Sequence, residues 1–205
     1  MLKEYQYQGI SNLYMNNYYQ NLLPQSLTDN LYDITQSKNF DWYYNPATVY
    51  FDFETKNKNI KDSFQFTHIF ADYENSKNIE SKYLKDCMYL IPHFSKILNI
   101  NFKSIFRIKS NMLTNKSETT KEHYHPPHFD QEHNYMSILY YVHDSDGDTI
   151  LFDKSYPDIP VELKQVDRFT PTKGSFVAFK SNQYHSSCNP IVSDKRTVIN
   201  FVMEI

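Results

Sequence analysis

From Phe102 to Ile205 the chain reads as a run of short β segments, and this pattern constrains the fold more than any other feature. In FKSIFRIKSNML, Phe102, Phe106, Ile108 and Met112 recur with period two. Side chains two apart on a strand share a face, so Arg107 and Lys109 lie opposite the apolar set. The plainer expectation for that second face is a solvated edge. The alternative is a basic lining for the mouth of a substrate site. MSILYYV, TILF, VELKQV, SFVAF and RTVINFVMEI follow as strands, with DSDGDT, TPTKG and SNQYHSS as turns. Many short strands joined by Gly-, Pro- and Asp-bearing turns predict a sandwich or jelly roll.

The first half reads differently. Residues 1 to 22 are polar and aromatic without a period and are left irregular. Leu23, Leu27, Leu31 and Ile34 fall at helical spacing after Pro24, which predicts a helix ending near Ser37 and packing on a sheet. Between Phe40 and Phe70, FDWYYNP, ATVYFDF and FQFTHIF look like strands, and KNKNIKD is a polar loop. His68 among these aromatics is read as structural. From Asn75 to Asn99 a broad apolar face that includes Tyr83, Leu84, Cys87, Leu90, Phe94 and Leu98 predicts helix. Pro92 should kink or split it, and Cys87 should lie in the core. The expected class is α+β in a single domain, with residues 1–101 as a support layer and 102–205 as the jelly-roll core.

Composition excludes several function classes. The chain has 205 residues, enough for one domain with a core. With only three glycines and no GxGxxG or GxxxxGK[ST], a Gly-rich phosphate loop is absent. A net charge of -3 leaves no basic nucleic-acid footprint. Cys87 and Cys188 form no CxxC and no disulfide framework, which fits a reducing, cytoplasmic setting. MLKEYQYQGISNLY lacks an apolar h-region, and no run approaches the roughly 20 apolar residues of a membrane span. The abundance of Asn, Lys, Ile and Tyr fits an AT-rich source, viral or low-GC bacterial; for a virus the setting would be the host cytoplasm.

The chemistry concentrates between Lys121 and Thr149, which hold five of the eight histidines. Within this stretch, His128-Phe129-Asp130 is a His-x-Asp. On an extended chain its imidazole and carboxylate point the same way. His185, after SFVAF and KSNQ, is the candidate third ligand, because a jelly roll brings distant strand ends together at its mouth. Two imidazoles and one carboxylate on one face leave positions open, as in non-heme Fe(II) oxygenases. Arg196 lies eleven positions beyond His185 and starts the last strand, sharing a face with Val198 and Asn200. An Arg aimed into an aromatic interior needs an anion and pairs bidentately with a carboxylate. That carboxylate is either a protein group or a cosubstrate, and spacing does not choose between them. A zinc site made from His123, His125, His128 and His133 would leave His185 and Arg196 unexplained. Instead, His123 and His133 are read as loop residues and His125 as a neighbour of the site or substrate. Asp144, Asp146 and Asp148 resemble a calcium loop, but the Gly stands fourth and Ser155 fills position twelve, so a tight turn is expected. Cys188 is read as a packing residue. No G-x-S-x-G supports a serine hydrolase.

The segments HPPHFD, LYYVHDSDGDTILF, KGSFVAFKSNQYHSS and RTVINFV occur in an order that resembles the 2-oxoglutarate- and Fe(II)-dependent dioxygenases, in their prolyl-4-hydroxylase-like branch. The resemblance spans about residues 120 to 205 and implies a double-stranded β-helix, the cupin-like jelly roll, with supporting N-terminal helices. It implies that His128, Asp130 and His185 hold Fe(II), that Arg196 binds the distal carboxylate of 2-oxoglutarate, and that Tyr140 hydrogen-bonds the same carboxylate. By the bland reading Tyr140 is a core aromatic. The implied reaction consumes O2 and 2-oxoglutarate, releases succinate and CO2 and hydroxylates a C–H bond, with ascorbate as an in vitro aid. By family analogy a protein or peptide substrate is favoured over a small molecule, and neither a membrane nor nucleic acid is expected as a partner. The chain departs from similar turns at His143, where relatives often carry Asn; a hairpin edge is expected there. Loops at 54–63, 114–127 and 153–160 should carry specificity. The competing expectations are a non-catalytic jelly-roll metal-binding or virion module and, further off, a zinc-dependent hydrolase.

Overall fold

The computed structural model of the chain describes residues 18–49, 57–74, 78–116, 118–132, 134–159 and 162–205. In order these give β1 (Tyr18–Tyr19), α1 (Gln25–Gln36), β2 (Tyr43–Asn45), β3 (Gln65–Asp72), β4 (Ile79–Glu80), α2 (Leu84–Met88) and α3 (Ile91–Leu98). The C-terminal half then contributes β5 (Ser104–Thr114), β6 (Tyr135–Tyr141), β7 (Thr149–Ser155), β8 (Gln165–Phe169), β9 (Phe176–Lys180), β10 (Gln183–Ser187) and β11 (Lys195–Glu204). The major sheet runs β1-β9-β6-β11-β5-β3-β2, with β4 beside β3, and the smaller sheet runs β10-β7-β8. The named strands pair antiparallel throughout. Two facing antiparallel sheets with this order form the expected double-stranded β-helix.

Strand periodicity separates the two faces of the major sheet. Met136, Ile138 and Tyr140 of β6 join Ile199, Phe201 and Met203 of β11 in a core under the helices, against Leu31, Leu90 and Phe94. Leu139 and Tyr141 point the other way and pack between the sheets with Val177, Val198 and Leu151. The edge strand β2 and its neighbour β3 extend this same sheet, so the N-terminal segments buttress the core from its side as well as its back.

Several local expectations change. The long helix expected over 75–99 is split, with Pro92 in the first turn of α3, where its missing N–H costs nothing. Residues 75–77 lie outside the described residues, as do 50–53 of ATVYFDF, His133 and 54–56 of the first specificity loop. SNQYHSS, expected as a turn, carries strand β10 from Gln183. Its polar composition hides the strand, in which a register shift follows Gln183, Tyr184 packs with Ile150 and Phe152, and His185 lies opposite Leu151 and lines the cavity. The strand expected at VELKQV begins only at Gln165. Most consequentially, β5 is no edge: β11 and β3 pair with its two sides, and on its polar face Lys109 lines the cavity while Arg107 approaches Asp130. Among the described residues no helix is long and apolar enough to cross a membrane.

Candidate active site

His128 lies beside β10 in an antiparallel bridge. Its N–H donates to the His185 carbonyl at 3.0 Å, and the His185 N–H donates back to the His128 carbonyl at 2.8 Å. The stiff Pro126-Pro127 approach aims this segment. The two imidazoles stand side by side, ring centroids 4.4 Å apart. Two residues further, the Asp130 N–H donates to the Ser181 carbonyl at 2.9 Å, which turns its carboxylate inward. One ligand atom from each of His128, Asp130 and His185 lies within 4.8 Å of the others, and no other such trio occurs among the described residues.

The hydrogen bonds around this trio orient it for a metal. His128 Nδ1 lies 3.3 Å from the Pro126 carbonyl and His185 Nδ1 lies 3.1 Å from the Gln183 carbonyl. A carbonyl only accepts, so each Nδ1 carries the proton and each Nε2 keeps a lone pair for the cavity. Burial, reinforced by His185, pulls His128 down to about 3, which holds it neutral and ligand-ready. Burial alone would raise Asp130, but His185, Arg107 and His128 outweigh it and hold the carboxyl far below its usual range. Ser137 Oγ donates to Asp130 Oδ2 at 2.6 Å, and Asn200 Nδ2 reaches both oxygens, at 2.9 and 3.0 Å. Arg107 Nη2 approaches Oδ1 at 3.5 Å. The donor set therefore fits a divalent metal, with outer partners that fix the carboxylate.

Arg196 lines the same cavity of about 60 Å³ as the trio. Its Nε donates to the Gly147 carbonyl at 2.6 Å and its Nη2 to Thr149 Oγ1 at 2.7 Å. The Tyr141 hydroxyl donates to the same Thr149 oxygen at 2.8 Å, and the Tyr141 ring lies 5.9 Å from the guanidinium carbon. Gly147 is needed for this seat, because a Cβ there would come 2.8 Å from Arg196 Cδ and 2.7 Å from the Cys188 carbonyl. Arg196 is 2% exposed, and among the described residues no carboxylate pairs with it. Burial draws its pKa down. A buried guanidinium held by neutral groups alone is a receptor for an anion. Among the described residues no protein carboxylate takes that role.

The expected role of Tyr140 is corrected. Its ring belongs to the core under the helices, and its hydroxyl is buried without a hydrogen-bond partner among the described residues. The residue beside Arg196 is Tyr141, on the opposite face of β6. A pair of adjacent tyrosines on one strand always splits this way, and the sequence alone did not say which member faced inward. Asn200 and Ser137 were also missed as partners of Asp130, although Asn200 shares the face of Arg196.

Several other histidines and acids have partners outside the cavity. His125 is 1% exposed, with Nδ1 3.3 Å from Asp62, and does not line the cavity. His143 contacts the Asp144 carbonyl and Thr197 Oγ1. His68 bridges the Asp41 carbonyl and Ser81. Asp146 accepts the N–H groups of Ile191, Val192 and Ser193, and Asp148 pairs with Arg168 at 2.5 Å. The acidic turn thus serves to tie loops together.

No family model matches the chain, and no curated protein matches it in sequence. Solved structures match it in fold. A prolyl-4-hydroxylase from Pseudomonas putida is similar over 92% of this chain and 91% of its own, at TM-score 0.51 and 14% identity. A prolyl hydroxylase from Trichoplax adhaerens, solved with a hypoxia inducible factor degradation-domain peptide, is similar over 91% and 82%, at TM-score 0.51 and 12% identity. The nogalamycin-pathway epimerase SnoN, solved with Fe3+, alpha ketoglutarate and nogalamycin RO, is similar over 91% and 77%, at TM-score 0.58 and 10% identity. At these identities the likeness is one of fold, the double-stranded β-helix of 2-oxoglutarate/Fe(II) oxygenase structures.

Proposed function

We propose that the protein is a 2-oxoglutarate- and Fe(II)-dependent dioxygenase that hydroxylates a C–H bond. The observation that carries this reading is the pairing, in one cavity, of a facial two-His, one-carboxylate trio with a buried arginine that has no carboxylate partner among the described residues. His128 and His185 would offer Nε2 and Asp130 a carboxylate oxygen to Fe(II). Bound there with 2-oxoglutarate, the iron would supply O2 activation, with release of succinate and CO2 and delivery of a hydroxyl to substrate. Arg196, steadied by Gly147, Thr149 and Tyr141, takes the distal carboxylate of 2-oxoglutarate and so fixes its reach toward the metal. Ser137, Asn200 and Arg107 keep Asp130 from swinging, and the apolar walls from Leu139 and Val198 exclude water. The peptide-bound prolyl hydroxylase among the fold relatives supports a peptide substrate for this chain as well.

The test is succinate formed from 2-oxoglutarate with Fe(II), O2 and ascorbate. Wild type should exceed a His128→Ala control. Equal output, combined with no metal-dependent binding of 2-oxoglutarate, would overturn the reading in favour of a non-catalytic jelly roll.

A further inference from the structure

Lys109 has no role in the chemistry described so far, yet its side chain enters the same cavity from β5. It stands opposite Asn200 of β11 in the sheet register, and Asn200 is the residue that grips Asp130. Next to Lys109 on its strand face, Asn111 is committed, while Arg107 Nε and Asn200 Oδ1 are buried without a hydrogen-bond partner among the described residues. Asn111 donates to Gln65 Oε1 at 2.6 Å, and Gln65 donates to the carbonyls of Ala47 and Thr48. Lys109 itself makes no hydrogen bond or ion pair among the described residues. Burial, with Arg107 beside it, pulls the ammonium down to about 8, so an arriving anion would relieve a real electrostatic cost. A divalent metal, Asp130, dianionic 2-oxoglutarate, Arg196 and the Arg107 beside Asp130 together carry one net positive charge; Lys109 adds a second, offset in part by Asp72, so the loaded site stays cationic and favours a further anion.

Building on the dioxygenase reading, we propose that Lys109 binds a carboxylate of the primary substrate beside the metal, so that the substrate is an acid. The ammonium is a point charge on a flexible stem, suited to a group whose approach varies, and it needs no fixed fork. The carboxylate is that of a free organic acid or of an acidic peptide side chain. In either case it anchors the substrate independently of the cosubstrate pocket at Arg196.

The test uses protein loaded with Mn(II) and 2-oxoglutarate, where paramagnetic broadening of proton resonances reports a probe near the metal without turnover. Propionate stands for a free acid, a capped aspartyl dipeptide for an acidic peptide, and propionamide and the capped asparaginyl dipeptide are their neutral controls. An acid should be broadened well beyond its neutral control, and Lys109→Met should weaken its binding by roughly tenfold or more, the loss of one charge-assisted hydrogen bond. Lys109→Arg should restore part of it. Whichever acid responds identifies the source of the carboxylate. Metal-dependent 2-oxoglutarate binding should stay unchanged in both variants, which also shows that they fold; Lys109→Gln replaces the methionine variant if it does not. Equal broadening of acid and neutral control, or an acid response that survives in Lys109→Met, overturns the inference and leaves the dioxygenase reading intact. Loss of 2-oxoglutarate binding in Lys109→Met makes Lys109 a cosubstrate anchor and also overturns it. Failure of wild type to bind Mn(II) with 2-oxoglutarate instead overturns the dioxygenase reading, and the inference with it.

Discussion

Two cations enter the cavity from neighbouring strands, and they are held in opposite ways. Arg196 on β11 is clamped by the Gly147 carbonyl and Thr149, with Tyr141 behind it. Lys109 on β5 makes no hydrogen bond or ion pair among the described residues. A guanidinium locked in place loses little freedom when its ligand arrives, which favours a ligand of constant shape. A free ammonium can follow a ligand that varies. Under the proposed function, the contrast gives the constant cosubstrate one wall and the variable substrate the other.

Asp130→Ala should have the largest effect, since it deletes a ligand and leaves the donors of Asn200 and Ser137 unpaired. Divalent-metal affinity should fall by more than about 100-fold, beyond the 10–100-fold usual for outer partners. A smaller loss, read by metal titration, would mean that the trio is not the metal site. Next comes Arg196→Met, which should cost 2-oxoglutarate binding roughly 100-fold, the equivalent of a paired set of charge-assisted hydrogen bonds. Metal affinity should hardly move. Equal loss of both would make Arg196 structural and erase the distinction between the two walls.

The pH dependence of the metal-free protein should follow His128. Its folded pKa is pulled down to about 3 by burial and His185, whereas an unfolded imidazole titrates near 6.5. Below about pH 6.5 the unfolded chain takes up a proton that the folded chain refuses, so stability declines as pH falls toward 3. A His128→Leu variant should flatten that part of the denaturation profile. An unchanged slope would mean that His128 protonates in place.

The smallest effects come from the tyrosine pair. Tyr141→Phe removes one hydrogen bond at Thr149, and 2-oxoglutarate affinity should drop about three- to tenfold. Tyr140→Phe removes a buried hydroxyl that has no partner among the described residues, so affinity should be unchanged and stability equal or higher by about 1 kcal/mol. The reverse ranking would return the cosubstrate contact to Tyr140.

The same pair shows how far the sequence could be read. Alternation along β6 and β11 was visible, and with it the jelly roll, the His128-x-Asp130 unit and Arg196. Which phase of the alternation faces the site depends on the second sheet, and that is decided by contacts distant in sequence. Tyr140 and Tyr141 are chemically equal, so only packing against Leu151 on one side and Phe94 on the other separates them. Arg107 and Lys109 posed the same problem. Two cations on one face of a strand read most simply as a solvated edge, until β3 is seen to pair with the far side of β5. The β10 segment was hidden for another reason: a strand whose inward residue is a ligand candidate carries polar side chains that look like a turn.

The central claim is that one cavity takes a divalent metal and 2-oxoglutarate together, through separate groups. It is tested most directly by calorimetric titration of 2-oxoglutarate into wild type and Arg196→Met, each with and without Mn(II). Wild type should bind only when the metal is present, and Arg196→Met should keep the metal while losing the 2-oxoglutarate. Binding that ignores the metal, or that survives in Arg196→Met, would contradict the account.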